Sequence, residues 1–223
     1  MSAVRGKLTS VAEVRRRFGV RAMCIHVLHE LINRVVYFDI LHIILLRREN
    51  LRPIENKGAG ELTARLATLD DLHAMQADPK WDIDDAKLRY FAAGDHCLLS
   101  YVDGKLAGYT WAHTLGRPEL VPGFTLSVPD CYAYNYSALT LHEFRGAGLQ
   151  PFRHREVLNR PEYGEKQGLV GYVRYTNFSS QKGQDKSGYQ RVGSIWLLGT
   201  PFGLKSHVSS SLRKLNIGRA GKP

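Results

Sequence analysis

Apolar and polar positions follow two different periods along this chain. From about Ser10 to Arg34, Val11, Val14, Phe18, Ile25, Leu28, Leu31, Ile32 and Val35 recur at helical spacing, with Arg15, Arg16 and Arg17 grouped early in the run. The spacing predicts one or two basic amphipathic helices. Val35 to Leu46 is the most apolar stretch, but it holds only twelve residues and contains Asp39 and His42. A bilayer needs roughly 20 apolar residues, so neither a transmembrane span nor a signal peptide is expected. An added strand is the structural alternative for this stretch.

Further along, the period shortens to two. Leu139 and Leu141 alternate with Ser137 and Thr140 as a half-buried strand, and Leu169 to Asn177 reads as another. Phe152, Val157 and Leu158 form a rough helical stripe between them. Earlier, Cys97 to Thr110 predicts a hairpin turning at Asp103-Gly104, and Glu61 to Leu72 a strand followed by a helix start. Strands interleaved with helices predict a mixed α/β fold.

The most informative stretch is Tyr132 to Leu149, where a β-rich run passes directly into Arg145-Gly-Ala-Gly148 and then a helix. Glycines permit the positive φ of a tight turn, and a helix start leaves backbone N–H groups free to face an anion. The turn is therefore a candidate phosphate seat. Glu143-Phe-Arg-Gly-Ala-Gly-Leu149 resembles the acyl-CoA turn, Arg/Gln-x-x-Gly-x-Gly/Ala, of the GCN5-related N-acetyltransferases. Asn177-x-x-Ser180 with Gly188-Tyr189 is similar to that family's later Asn-x-x-Ala…Gly-Phe motif, and the resemblance extends over about residues 61 to 200. Two positions depart from the pattern. Gln150, followed by Pro151, replaces the last small residue of the turn, and Gln184 stands where many members carry a general-acid tyrosine. An amide cannot supply a proton to a leaving thiolate.

The resemblance implies a central sheet of six or seven strands flanked by helices, with the N-terminal helical segment as an extension. It implies an acyl-CoA donor, acetyl-CoA or a longer acyl chain, and no metal. Leu139, Thr140 and Leu141 would pair with the pantetheine amides. The N–H groups of Gly146, Ala147, Gly148, Leu149 and Gln150 would hold the pyrophosphate, Arg145 would add charge, and Asn177 would line the cleft. Acyl transfer to an amine by direct attack needs a proton acceptor and an oxyanion donor. The family's usual base position, about ten residues ahead of the arginine, falls near Tyr134, with Tyr132 and Tyr136 on the same face. No carboxylate stands on that strand. Tyr134, Tyr136 and His113 are the candidate catalytic residues, with His142 beside the turn as a further base.

Net charge, +10 over 223 residues, is unevenly placed. Residues 1 to 60 hold eleven Lys/Arg against five Asp/Glu, and residues 203 to 223 five against none, so the middle is nearly neutral. With no zinc-finger spacing or RNA-recognition signature, nucleic acid is not an expected partner. Three scattered cysteines, Cys24, Cys97 and Cys131, make no disulfide framework and are expected reduced in a cytoplasmic protein. His26 and His29 are expected on the helix surface, and Asp82, Asp84 and Asp85 at a helix start. The expected organisation is an extension over 1–57, the acyltransferase domain over 58–204 and a disordered basic tail over 205–223. The basic extension could contact an anionic membrane face peripherally or serve a homodimer. Together these point to an acyl-CoA-dependent N-acyltransferase whose acceptor is a small amine, an amino sugar or a lipid-linked glycan of envelope polysaccharide synthesis. The rival is a non-catalytic acyl-CoA-binding or scaffold protein.

Overall fold

Phe38-Asp-Ile-Leu-His-Ile-Ile-Leu-Leu-Arg47 has no room for a polar face, and in the computed structural model it forms a strand, β1, covered on both sides. The structure describes residues 11–54, 60–113 and 118–220. The expected boundary at 57/58, the extension's residues 1–10 and the last residues of the tail, 221–223, lie outside the described residues. The other strands are β2 (Leu62–Leu66), β3 (His96–Val102), β4 (Lys105–His113), β5 (Glu119–Val121), β6 (Phe124–Ser127), β7 (Tyr132–Thr140), β8 (Gly168–Arg174), β9 (Gln190–Thr200), β10 (Gly203–Val208) and β11 (Gly218–Arg219). Helices are α1 (Val11–Asn33), α2 (Leu69–Gln76), α3 (Asp85–Ala92), α4 (Leu149–Asn159), α5 (Phe178–Ser187) and α6 (Ser210–Lys214).

The central sheet has the order β10-β9-β1-β8-β7-β4-β3-β2. Its eight strands exceed the expected six or seven because the N-terminal segment supplies β1 and the C-terminal segment supplies most of β10. β1 sits inside the sheet, antiparallel to both β8 and β9. Leu41, Ile43 and Leu45 enter one core and Ile44 and Leu46 the other. Burying such side chains contributes about 1.5–3 kcal/mol each, so the N-terminal segment is part of the folded core. The tail expected to be disordered is ordered to Ala220. After β10 and α6, β11 pairs with β6 in a second sheet of order β11-β6-β5, held by the fully buried Leu212 and Ile217.

The helical N-terminus comprises two segments meeting at Gly19, whose φ of 87° leaves the helix. Val14, Ala22 and His29 face inward, whereas Val20, Leu28 and Leu31 are exposed. His29, expected on the surface, is buried: its ring Nε2 donates to Phe38 O (3.1 Å) and the ring meets Tyr175 edge-on. No helix among the described residues is long and apolar enough to cross a membrane.

Several local signals behave as chemistry dictates. Thr68 and Asp71 form a reciprocal capping box at the start of α2. Asp84 caps α3 through Lys87 N, with Asp85 in its first turn. Asp103 and Gly104 take φ of 47° and 74°, turning β3 into β4.

Candidate active site

Among the described residues only β7 and β8 run parallel in the central sheet, and they pair over Tyr132–Gly168, Ala133–Leu169 and Tyr134–Val170. Beyond that point they separate. The cause is local: against β4, Tyr136 opposes Trp111 while Leu139 opposes Tyr109, so β7 carries an extra residue there. Ser137 absorbs it with a φ of 46°, a bulge that bends the strand away from its neighbour. Leu141 donates its N–H to Ala107 O (2.9 Å), and its carbonyl accepts from Phe144 N. By alternation, the N–H and C=O of Thr140 face the open edge. Of the three residues expected to pair with pantetheine, Thr140 thus has free main chain on that side, while Leu141 spends its backbone inside the protein.

At the foot of this gap the chain makes the glycine turn. Gly146 and Gly148 adopt φ of 94° and 75°, and Gly148 is the N-cap of α4. Ala147 is tied back to Phe144 O, so of the expected N–H groups those of Gly146, Gly148, Leu149 and Gln150 are left open, the last three at the helix start. Pro151 follows within that turn, where a missing N–H costs nothing. Gln150 is accommodated by α5: its side-chain oxygen lies where a Cβ on Gly183 would stand 2.8 Å away. Arg145 is exposed at the rim, and Asn177 caps α5 through Ser180 N (3.0 Å).

Beneath the turn lies Arg153, on the inner face of α4 and 2% exposed. Its guanidinium donates to Thr140 Oγ1 (2.8 Å) and Ser100 Oγ (3.1 Å), but Nε has no partner. No carboxylate among the described residues pairs with it, and burial lowers its pKa to about 10. A buried cation without a counter-ion is costly and marks the floor of the cleft as a place for negative charge.

The far end is built from side chains. α3 ends in a left-handed Gly94 (φ 99°), with Gly94 N bonding Phe91 O and Asp95 N bonding Tyr90 O. That Schellman-type end turns Asp95 inward, 6% exposed, against the last residue of β4 and the middle of β7. One carboxylate oxygen meets His113 Nδ1 and the other accepts from Tyr136 Oη. Tyr136 stacks on Tyr134 (centroids 5.4 Å apart, 16° between planes) and lies 6.2 Å from Trp111. Burial pushes both phenols far above their ordinary pKa, the Asp95 carboxylate adding to the effect on Tyr136. They stay protonated, and a relay through either as a base is ruled out near neutral pH. His113 remains, with Nδ1 held by Asp95 and Nε2 making no hydrogen bond among the described residues.

Tyr134, Tyr136 and His113 are therefore brought together, around a carboxylate that sequence reasoning missed. No carboxylate stands on β7, where the family's usual base position falls; Asp95 comes instead from the turn before β3, and the Gly94 helix stop is its one local signal. His142 lies exposed in a short 3-10 turn, away from the cleft. Gln184 reaches the cleft with its side-chain oxygen buried and unpartnered. One continuous cleft of about 1560 Å³ runs from the turn past the separated strands to His113. Its turn end carries Arg52, Arg145 and Lys186, and its far end Asp82, Asp95 and Glu119 with Tyr90 and Tyr172. No group of three or more metal-ligating side chains occurs among the described residues.

No family model matches the chain, and no curated protein matches it. Solved structures similar to it include a conserved protein of unknown function from Staphylococcus epidermidis (12% identity, TM-score 0.48, 78% of this chain and 66% of that one). A GCN5-related N-acetyltransferase from Kribbella flavida is similar at 15% identity and a TM-score of 0.47, covering 78% of this chain and 65% of that one. AAC(6′)-Iy in complex with a CoA bisubstrate analogue is similar at 18% identity and a TM-score of 0.46, over 59% of this chain and 92% of that one. The chain thus spans just under two thirds of the first two.

Proposed function

We propose that the chain is an acyl-CoA-dependent N-acyltransferase that acylates an amine by direct attack on the thioester. The observation that supports this best is the single cleft joining an open helix start above an unpaired buried arginine to an Asp95–His113 pair. In this assignment the pyrophosphate meets the N–H groups of Gly148, Leu149 and Gln150, where the helix start and Arg153 both favour negative charge. Pantetheine runs along the open edge at Thr140. His113 Nε2 takes the proton of the attacking amine, and Asp95 fixes the imidazole's tautomer and offsets the charge it gains. Tyr134, kept protonated by burial, is a hydrogen-bond donor beside the reacting carbonyl. Gln184 supplies no proton, so the leaving thiolate is protonated through water.

The carboxylates and aromatic rings at the far end favour a cationic acceptor with flat or hydroxylated faces, which suits an amino sugar, free or lipid-linked. The Asp95–His113 pair weighs against a scaffold that merely binds acyl-CoA. Calorimetric titration with acetyl-CoA, a longer acyl-CoA and CoA, followed by an amine panel assayed for thiol release, tests the assignment. Micromolar binding with turnover on an amino sugar is expected. Binding without turnover on any amine would favour the scaffold, and no binding would overturn the donor assignment.

A further inference from the structure

A smaller basin, about 310 Å³, opens off the turn end of the cleft between the N-terminal helix and α5. Arg17, Phe18, Ser179, Lys182, Gly183 and Lys186 line it, and four of these, Arg17, Ser179, Gly183 and Lys186, also line the main cleft. The two spaces are therefore continuous. On α5, Ser179, Lys182 and Lys186 stand three and four residues apart and so share one helix face. Opposite them, Arg17 and Phe18 are the last residues before the break at Gly19. Phe18 packs against Phe178 at the start of α5, ring centroids 5.7 Å apart, which brings this wall to the basin.

Charge gives the basin its character. Three of its six lining residues are cations and none is an acid. Lys182 and Lys186 make no ion pair among the described residues. Arg17 has one carboxylate neighbour, Glu13 at 3.2 Å, which holds the guanidinium toward the Phe18 ring, 5.4 Å from its centroid. Like charges gathered in a concave site repel unless an anion joins them. A ligand already anchored by a diphosphate at the α4 start, and carrying a second, doubly charged phosphate, would match both spaces at once.

We propose that this basin takes the 3′-phosphate of the donor's adenosine, so that the N-terminal segment forms one wall of the donor site and selects nucleotide-bearing thioesters. The proposal rests on the acyl-CoA assignment above. Lys182 and Lys186 offer charge from α5, Arg17 offers planar hydrogen bonding to phosphate oxygens, and Phe18 provides an apolar surface beside them. A thioester on a carrier protein, or a CoA lacking this phosphate, would leave Lys182 and Lys186 without an anion.

Titration of the full chain, as wild type and as Arg17→Ala and Lys182→Ala, with CoA and 3′-dephospho-CoA tests this. Wild type is expected to prefer CoA by about tenfold or more, as one charge-assisted contact of roughly 1.5–3 kcal/mol would give. Each variant is expected to lose most of that preference while its affinity for 3′-dephospho-CoA stays the same, and Arg17→Lys to restore part of it. Arg17 is half exposed, so melting temperatures should be close to wild type. Equal wild-type affinity for the two ligands, or a preference that survives both substitutions, would overturn the proposal while leaving the donor assignment standing. Failure of wild type to bind either ligand would instead overturn the donor assignment, and this proposal with it.

Discussion

At the turn end of the cleft, the groups that would meet substrate are main-chain N–H groups of consecutive residues, 148 to 150, positioned by two glycines and a helix start. At the far end they are side chains, Asp95, His113 and Tyr136, separated by 18 and 41 residues and delivered by a helix stop, a strand end and the middle of another strand. The first arrangement tolerates most side-chain changes and fails only when φ is changed. The second is indifferent to local backbone preference and fails when one atom is removed. Chemistry at one end rests on conformation, and at the other on side-chain identity.

The largest expected effect follows at the turn. Gly148→Val places a β-branched residue at a φ of 75°, a region that costs such residues on the order of 1–3 kcal/mol. A Cβ on the neighbouring Gly146 would meet nothing within 4 Å, so at that position conformational strain rather than collision decides the outcome. The paired change Gly146→Val with Gly148→Val is expected to weaken acyl-CoA binding by at least about 100-fold, in line with losing several charge-assisted N–H contacts. Circular dichroism should stay near wild type. Unchanged affinity by calorimetry would remove the turn from the donor site.

Next in size is the side-chain end. His113→Ala and Asp95→Asn are each expected to lower kcat by about 100- to 1000-fold, the usual contribution of a positioned general base, with acyl-CoA affinity unchanged. Asn at 95 preserves the shape of the side chain but loses the charge that stabilises an imidazolium. A fall in acyl-CoA affinity instead of kcat would place the pair in the donor site and dissolve the contrast between the ends.

This contrast also explains what could be read from the chain. The glycine turn, the strand before it and the helix start at Asn177 were legible because each is a local pattern whose physics is complete within about ten residues. The even apolar run at Val35–Leu46 announced burial, yet its place between β8 and β9 depends on partners more than 120 residues away. The tail looked disordered by composition, but β10 pairs with β9, β11 pairs with β6, and Leu212 and Ile217 are buried in the core between them. Asp95 was invisible for a related reason. A carboxylate after a glycine ordinarily marks a solvated helix end, and only the packing of α3 against β4 and β7 turns it inward.

Acid provides a third way to separate the ends. His154 lies beside Arg153 on the buried face of α4, and burial lowers its pKa from the ordinary 6.5 to about 3, the neighbouring guanidinium adding to the effect. The folded chain therefore keeps His154 neutral where the unfolded chain binds a proton. Its stabilising contribution is complete above pH 6.5 and is lost as pH falls from 6.5 toward 3. His42, lowered to about 4 by burial, acts in the same direction from β1. Asp39, raised by burial, acts in the opposite direction, so the informative quantity is the difference between wild type and variant. His154→Gln is expected to flatten the decline in unfolding free energy between pH 6.5 and 4 by on the order of 1–3 kcal/mol, measured by denaturant titration at each pH. An unaltered pH slope would mean that His154 is solvated.

The smallest expected effect concerns how the turn accommodates Gln150. A Cβ on Gly183 would come 2.8 Å from the Gln150 side-chain oxygen, the far end of a flexible group that can move aside. A Cβ on Gly108 would collide with the carbonyl of Leu139 and stand 2.8 Å from Arg153 Nη1, both fixed in the sheet and its floor. Gly183→Ala is therefore expected to cost less than about 1 kcal/mol of stability, and Gly108→Ala about 2–3 kcal/mol, within the usual range for overpacked sites. Displacing the Gln150 amide toward the cleft should weaken acyl-CoA binding by only about two- to threefold and leave kcat at saturating donor unaltered. A change in kcat with affinity preserved would show that strain at the α4–α5 contact reaches His113, and the two ends would then have to be treated as one mechanical unit.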